Sequence, residues 1–264
     1  MELNLKGKKA LVTGSSSGIG EGIAKCLAKE GVHVMVQGRK KQELERVVRE
    51  ITSNGGIAHF VEGDLSTNED AKHVAEMTLQ TFQQLDILVN NAGAFPKHGW
   101  LQSSPEDWAD LFNINVVAMV RMIQAFLPQM KKLGWGRIIQ IASVAGVSPS
   151  PDLPEYGVTK AANINMTISL AKDLAGTGIT ANTVSPGPIA TPGVKTLFTQ
   201  IAKEKNWGTN WNEIEKRATK EVLPNMVGRF GTPEEVGNLV TFLASTAADY
   251  ITGVNYRIDG GRLG

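Results

Sequence analysis

The chain has 264 residues, 42% of them hydrophobic and 20% charged, which is enough to bury the core of one large domain. Its formal net charge of +1 gives no reason to expect nucleic acid or an anionic membrane surface as a partner. No apolar run approaches the roughly 20 residues of a membrane span, so we expect none. A single cysteine, Cys26, excludes a disulfide framework, and the four histidines lack metal-ligand spacing, so we expect no metal site.

Four apolar segments in the amino-terminal half have the length and flanking residues of buried strands, and each is followed by a predicted helix. The third helix begins at Thr67, with Asp70 placed to complete a capping box. The fourth begins at the N-cap Ser104 and runs to about Gln129. The four strand segments are KKALVTG (8–14), VHVMVQGR (32–39), IAHFVEGD (57–64) and LDILVNNAG (85–93).

Three further strands are predicted in the carboxyl-terminal half, within GRIIQIAS (136–143), GITANTVSPG (178–187) and GVNYRIDGG (253–261). A long helix between the first two contains Tyr156 and Lys160, and a helix capped by Thr232 precedes the last. Residues 188–227 lack a strand pattern and are rich in Pro, Gly and Trp. We predict an excursion of short helices there, at a place where a lid would be useful.

This alternation of strands and helices predicts an α/β fold. Most of the strands are nearly continuous apolar runs, which is typical of a parallel sheet covered on both faces. Right-handed crossovers then give a doubly wound Rossmann fold with a mostly parallel, seven-stranded sheet. The absence of a repeat or linker predicts a single domain over residues 1–264, with 188–227 as its excursion.

A glycine-rich turn, TGSSSGIG (13–20), lies between the first strand and the first helix. Glycines in this context let backbone N–H groups and the helix N-terminus approach a pyrophosphate, so we predict a nucleotide site. The alternative is an ordinary Gly/Ser loop.

The end of the second strand bears on which nucleotide binds. An acidic residue there holds the ribose 2′-hydroxyl of NAD in dinucleotide folds, but this chain has Gly38 followed by Arg39. A guanidinium can pair with a 2′-phosphate, so NADP is favoured over NAD. The alternative is a solvated basic turn, which Lys40 and Lys41 also fit.

A possible proton-transfer group comprises Ser143, Tyr156 and Lys160. Tyr156 and Lys160 are four residues apart and so share one helix face, while Ser143 follows the strand before them. A Lys charge at ~4 Å from the phenol favours its ionised form by at most ~4 kcal/mol, so we expect a lowered pKa for Tyr156. The alternative is a packed ring beside a solvated amine.

The motifs occur together in the order of one known family. TGxxxGIG at 13–20, NNAG at 90–93, Asn115, Ser143, YxxxK at 156–160, PG at 186–187 and DGG at 259–261 resemble the short-chain dehydrogenase/reductase family over essentially the whole chain. Many family members that resemble this chain reduce 3-oxoacyl groups on acyl carrier protein.

The resemblance implies roles for particular residues. Tyr156 would be the general acid or base, Lys160 would lower its pKa and bind the nicotinamide ribose, Ser143 would hold the substrate oxygen, and Asn115 would hold a water. Asn115 has the alternative of a helix residue facing bulk water. The residues that would contact NADP(H), besides Tyr156 and Lys160, are Gly14, Ser16, Ser17, Gly18, Ile19, Gly20, Arg39, Asp64, Leu65, Asn91, Ala92, Gly93, Pro186, Gly187, Ile189 and Thr191. For Thr191 an N-cap is the alternative.

Three segments should surround the nicotinamide: residues 94–103, 145–155 and the excursion. Their apolar and aromatic residues either line a substrate pocket or form the core of the lid, and the sequence does not decide between these alternatives. His98 has no partner visible in the sequence, so we assign it no role. The set is Phe95, His98, Trp100, Pro149, Pro151, Leu153, Leu197, Phe198, Trp207 and Trp211.

The resemblance leaves the substrate open. An acyl-carrier substrate requires basic residues near the site, for which Lys131, Lys132 and Arg137 are candidates, but Thr177 and Trp135 depart from the pattern of those reductases. We expect a cytoplasmic NADP(H)-dependent oxidoreductase that acts on a small ketone or secondary alcohol. The family also implies a homodimer or homotetramer. The alternatives are a 3-oxoacyl-acyl-carrier-protein reductase and a catalytically silent NADP-binding regulator.

Overall fold

The computed structural model describes residues 2–96 and 98–262. Its central sheet has the strand order β3-β2-β1-β4-β5-β6-β7, and every pairing within it is parallel. The predicted seven-stranded parallel sheet is therefore confirmed. The strands are β1 Lys9–Val12, β2 His33–Gly38, β3 Ile57–Glu62, β4 Ile87–Asn90, β5 Gly136–Ile141, β6 Ile179–Pro186 and β7 Asn255–Ile258.

Helices cover both faces of the sheet, as the doubly wound prediction requires. The helices are α1 Gly18–Lys29, α2 Lys41–Ser53, α3 Asn68–Phe82, α4 Pro105–Phe112, α5 Ala118–Leu133, α6 Pro154–Asp173, α7 Pro192–Glu204, α8 Trp211–Glu221 and α9 Pro233–Ala244. One buried cluster joins α1, α2 and α9 to the sheet, and a second joins α3, α5 and α6 to its other face.

The order of the strands reverses between β1 and β4. The chain winds outward through β2 and β3 from one side of β1, and then through β4 to β7 from the other. Ligands of open α/β sheets bind where the carboxyl ends of two such strands diverge. This topology places the glycine-rich turn after β1 beside the NNAG segment at the end of β4.

The helix caps confirm the predicted helix starts at Thr67, Ser104 and Thr232 and correct one predicted capping box. Ser104 with Asp107, and Thr232 with Glu235, form complete capping boxes. Thr67 caps α3 by accepting from the Asp70 N–H, but the Asp70 carboxylate accepts from the Asp64 N–H instead of completing a box. Asp70 thus connects the start of α3 to the loop that follows β3.

The helical segment Pro105–Leu133 is longer than the sequence predicted. It passes from α4 through one π-helical turn, Asn113–Val117, into α5. By length and composition it could cross a membrane, contrary to the expectation from the sequence. However, Met122, Phe126 and Met130 on α5 are fully buried in the second core cluster, so the segment packs as a core helix.

The excursion forms a small cluster of its own. Phe198 and Trp207 are almost fully buried in it together with Phe230, which follows the excursion, and Trp211 packs against it. This answers the question that the sequence left open for Phe198, Trp207 and Trp211, which form the core of the excursion. A role of residues 188–227 as a lid stays a prediction.

Candidate active site

The glycine-rich turn is held tightly against the end of β4. Gly14 and Gly18 have φ values of +61° and +62°, a region that glycine adopts without strain. A Cβ on Gly14 would lie 2.8 Å from the Ala92 Cα, and one on Gly20 would lie 2.5 Å from the Asn91 Nδ2. These positions therefore require glycine, and the predicted nucleotide residues of the two segments lie side by side.

Two residues that the sequence analysis did not select hold this turn in place. The Thr13 hydroxyl accepts from the backbone N–H groups of Asn91 (2.9 Å) and Ala92 (3.0 Å). The Gln37 side chain accepts from the Gly14 N–H (3.1 Å) and donates to the Gly63 carbonyl (2.7 Å). Their signal in the sequence is a polar side chain at the end of an otherwise apolar strand.

Arg39 lies where the sequence analysis placed it. A Cβ on Gly38 would lie 3.1 Å from the Ser16 hydroxyl, so the end of β2 adjoins the glycine-rich turn. Arg39 is 74% exposed, with one guanidinium nitrogen 3.5 Å from the Asp64 carboxylate. A hydrogen bond from the Ser66 backbone, with a smaller contribution from Arg39, lowers the pKa of Asp64. The guanidinium thus lies exposed at the end of β2, next to Asp64.

Two predicted cofactor residues are buried in the core. Leu65 belongs to the second core cluster and Ile189 to the first, and both are less than a tenth exposed. Apolar packing directs their side chains inward. The contact of these two residues with the nucleotide stays a prediction.

The segment after β6 reaches back to the glycine-rich turn. A Cβ on Gly18 would lie 3.3 Å from the Thr191 methyl carbon. Thr191 also caps α7, since its hydroxyl accepts from the Val194 N–H. The N-cap alternative is therefore confirmed, and the contact of Thr191 with the cofactor stays a prediction. At the end of β6, Gly187 is packed closely against Asp259.

Asn115 lies in the π-helical turn and is fully buried. Its side chain accepts from the Ala94 N–H (2.8 Å) and donates to the Ala94 carbonyl (2.9 Å) and to the Thr159 hydroxyl (3.1 Å). The alternative of a side chain facing bulk water is therefore excluded. Asn115 instead joins the NNAG segment to α6, and Thr159 is a contact that no sequence pattern signalled.

Lys160 and Ser143 lie together at the carboxyl end of β5. The Lys160 ammonium is buried, donates to the Ile141 carbonyl (3.1 Å) and is 5.6 Å from the centre of the Tyr156 ring. A Cβ on Gly93 would lie 3.5 Å from the Lys160 Nζ, so this lysine also borders the NNAG segment. The Ser143 oxygen accepts from the Ala145 N–H (3.1 Å), which leaves its own proton free to be donated.

The expected electrostatic effect on Tyr156 is reversed in this structure. Burial raises the pKa of Tyr156 above its usual range, and hydrogen bonding with Ser143 opposes that shift. Burial lowers the pKa of Lys160 to about 8. The prediction of a lowered tyrosine pKa is wrong here because the loss of hydration outweighs the hydrogen bond with Ser143. The Lys160 ammonium donates to the Ile141 carbonyl.

The substrate side of the cleft is bordered by the loop that follows NNAG. The Phe95 ring lies 5.9 Å from the Tyr156 ring, centre to centre. His98, which had no visible partner in the sequence, lies with its Nδ1 3.2 Å from the Glu155 carboxylate. An acid–base tyrosine, a hydroxyl donor and a buried ammonium therefore adjoin a turn suited to pyrophosphate, which is an arrangement able to move a proton beside a bound nucleotide.

Comparisons with known proteins identify the family. Residues 8–202 match the family model of the short chain dehydrogenases. A 3-oxoacyl-acyl-carrier-protein reductase of Aquifex aeolicus is 38% identical over 262 residues, covering 99% of each chain. An uncharacterized oxidoreductase of Bacillus subtilis is also 38% identical over 262 residues, covering 99% of this chain and 98% of its own.

A solved structure is similar over the whole fold. L-sorbose reductase from Gluconobacter frateurii, complexed with NADPH and L-sorbose, superimposes with a TM-score of 0.93 at 35% identity. The match covers 99% of this chain and 98% of that chain.

Proposed function

The chain belongs to the short-chain dehydrogenase family, and from that premise we propose that it is an NADP(H)-dependent oxidoreductase that interconverts a small ketone and a secondary alcohol. The observation that carries this proposal is the position of Tyr156 between Ser143 and Lys160, next to the NNAG segment and hence to the glycine-rich turn.

The proton chemistry of the proposal belongs to Tyr156. In reduction its hydroxyl donates a proton to the carbonyl oxygen of the ketone, and Ser143 donates a hydrogen bond to the same oxygen. The raised pKa of Tyr156 suits this direction, since it keeps the phenol protonated at neutral pH. The Lys160 ammonium, 5.6 Å from the ring centre, then stabilises the phenolate that remains. In alcohol oxidation Tyr156 accepts the proton instead.

The residues of the cleft fit NADP(H). The glycine positions at 14, 18 and 20 leave no room for a Cβ or need positive φ, which is the form of a turn that approaches a pyrophosphate. Arg39, exposed at the end of β2, would hold the 2′-phosphate, and Asn91, Ala92, Gly93 and Lys160 would border the nicotinamide half. When bound, NADPH supplies the hydride.

An acyl-carrier substrate finds less support in this chain. Arg137 is 1% exposed and pairs with Asp249, and Lys131 pairs with Asp173. Lys131 and Lys132 lie in the last turn of α5, near the amino-terminal end of β5, whereas Ser143 follows the carboxyl end of that strand. The expectation that these residues offer a basic surface near the site is corrected, and we favour a free ketone as substrate.

We also propose that the protein is a cytoplasmic homodimer or homotetramer. Support for assembly comes from apolar side chains exposed on the π turn and α6, namely Val117, Val158 and Ile168. Support for the location is that the reaction needs NADPH, which cells regenerate inside the cytoplasm. Fractionation of the native host tests the location.

The test of the activity is hydride transfer from NADPH to a panel of substrates, followed by the loss of nicotinamide absorbance. The panel contains L-sorbose, because a similar structure bound it, together with simple ketones and acetoacetyl-acyl-carrier-protein. Turnover of a free ketone, abolished in Tyr156→Phe, is the expected result. Exclusive turnover of the carrier-bound substrate would select the acyl-carrier alternative.

A negative outcome of the same assay is equally defined. Tight NADPH binding without turnover of any substrate would favour the regulator, and Tyr156→Phe would then leave every measured property unchanged. Since Tyr156→Phe removes one hydroxyl, NADPH binding in this variant serves as the control for a folded cleft.

A further inference from the structure

Glu155, the residue before Tyr156, is a fully buried carboxylate. It is 0% exposed, and neither of its oxygens has a hydrogen-bond partner of good geometry among the described residues. The one basic group recorded within ion-pair distance in that part of the chain is His98, with its Nδ1 3.2 Å from the Glu155 Oε1. Burial of an unpaired carboxylate is costly, so this contact has to be explained.

His98 belongs to the loop that borders Tyr156, here called the cleft loop (residues 94–96 and 98–103). At its start the Ala94 N–H donates to the Asn115 side chain and the Ala94 carbonyl accepts from it, and the loop ends at the capping box of Ser104. Near its start, the Phe95 ring packs on the ring of Tyr156 at 5.9 Å. The His98–Glu155 contact joins the middle of the cleft loop to the first turn of α6.

Two carboxylates lie near His98 in the described part of the chain. Glu155 approaches from α6, and the Asp107 carboxylate of α4 is close enough for His98 to contribute to the lowering of its pKa. The Asp107 carboxylate is already engaged by the Ser104 N–H in the capping box. Glu155 is thus the partner whose pairing depends on the position of the cleft loop.

We propose that His98 and Glu155 are positioning residues, which lock the cleft loop onto α6 and thereby hold Phe95 over Tyr156 so that the ketone fits. The pair touches neither the proton being transferred nor the cofactor site, and it acts through the placement of Phe95. The predicted change in KM rests on the proposed function, whereas the contact that holds the cleft loop against α6 does not depend on it.

The pair predicts a specific kinetic pattern. His98→Ala or Glu155→Gln should raise the KM for the ketone by about tenfold, which corresponds to about 1.4 kcal/mol of lost binding and is typical of coupling between contacting residues. The dissociation constant for NADPH and the kcat at saturating ketone should change little, since Ser143, Tyr156 and Lys160 are unaltered. Phe95→Ala should raise the KM in the same way.

A double-mutant cycle tests whether His98 and Glu155 act together or independently on the KM. Because the two side chains act as one unit, His98→Ala/Glu155→Gln should resemble either single variant in KM. His98→Gln, which keeps an N–H donor toward the carboxylate, should restore most of the affinity for the ketone. His73→Ala, at an exposed histidine of α3, is the matched control and should be silent.

Two measurements keep the test decisive. If His98→Ala does not fold because it leaves the carboxylate buried alone, the double variant carries the comparison, since the glutamine has no charge to bury. Hydrogen exchange of the cleft loop, which needs no substrate, should become faster in the single and double variants alike. Unchanged exchange and unchanged KM in a folded double variant, or additive effects on KM, would overturn the proposal.

The outcome for the lock is distinguishable from the outcome for the enzyme. Faster exchange in an enzyme that turns over no ketone would keep the lock and refute the proposed function. Normal exchange in an active enzyme whose KM is unaffected would keep the function and refute the lock.

Discussion

At the scale of single residues, burial of the charged Lys160 side chain destabilises the folded protein. Its ammonium is buried with one carbonyl, Ile141, as its hydrogen-bond acceptor, and burial lowers its pKa from 10.5 to about 8. Below pH 8 both the folded and unfolded chains hold this proton, and the folded state bears the full cost of burying the charge. That cost falls between pH 8 and 10.5, where the unfolded chain binds more protons.

The pH dependence of unfolding tests this reading of Lys160. Lys160→Met should be inactive yet more stable at pH 7, by up to about 3 kcal/mol less the contribution of the lost Ile141 bond. The advantage should shrink as the pH rises toward 10.5, because the wild-type lysine then loses its proton. Urea unfolding of both proteins between pH 7 and 10 measures it. An advantage that stayed constant with pH would show that the lysine charge is not its source.

Arg39 offers a second test at a single residue. Arg39→Asp should lower the preference for NADPH over NADH by roughly 30-fold, the value of about 2 kcal/mol for a hydrogen bond to a charged group. Lys40→Asp makes the same change of charge at the next exposed position and is the control. The ratio of kcat/KM for the two cofactors is the measurement. Equal effects of the two substitutions would mean that overall charge, and not Arg39, selects the cofactor.

At the scale of elements, the glycine-rich turn depends on a close crossing of α1 and α9. A Cβ on Gly237 would lie 2.6 Å from the Cys26 sulfur and 2.9 Å from the Gly22 carbonyl, and one on Gly22 would clash with the Pro233 backbone. Small residues on both helices let their backbones touch, and α1 begins in the turn itself. The packing beneath the turn therefore bears directly on the nucleotide site.

Gly237→Ala should destabilise the fold by about 1–3 kcal/mol, because the neighbouring backbone leaves no room for a methyl group. Gly193→Ala is the matched control, since a Cβ on Gly193 in α7 would have no atom within 4 Å. That control should be neutral or stabilising by up to about 1 kcal/mol through helix propensity. Chemical denaturation of both variants is the measurement. Equal stability of the two would refute the close crossing.

The elements were also what the sequence predicted best. Strands with continuous apolar runs, and helices with Ser104 or Thr232 as caps, carry their signals within a few neighbouring residues. The π turn around Asn115, the inward-facing Leu65 and the contact between His98 and Glu155 carry no such signal. They arise from segments far apart in the chain, whose meeting depends on the packing of the whole sheet. The pKa direction of Tyr156 failed for the same reason, since burial is a property of the folded molecule.

At the scale of the whole molecule, the outer surface of α6 is the place to test assembly. Val158 and Ile168 are each about two-fifths exposed there. If a symmetric interface of standard size, roughly 800 Å² per partner, includes them, an introduced carboxylate would be buried without a partner. Val158→Asp and Ile168→Asp should each shift the protein toward the monomer.

Light scattering during size-exclusion chromatography measures the mass of each variant. Met77→Asp, at a similarly exposed position on α3, is the control and should leave the mass of the assembly unchanged. A wild-type protein of 28.4 kDa in solution would contradict the proposed assembly outright. An assembly whose mass survives both α6 substitutions would place the interface elsewhere.

The π-helical turn has a consequence for how such a site can originate and be lost. A turn of this kind holds one residue more than a regular helix would at that place. Deleting one residue from 113–117 would give a smoother, better-bonded rod from Pro105 to Leu133. Making the turn regular while keeping all of its residues would instead rotate one half of that rod by about 100° relative to the other, so Asn115 could no longer meet both Ala94 and Thr159. The π turn holds the Asn115 carboxamide in position. Evolution toward a regular helix would remove the link that Asn115 makes between the cleft and α6.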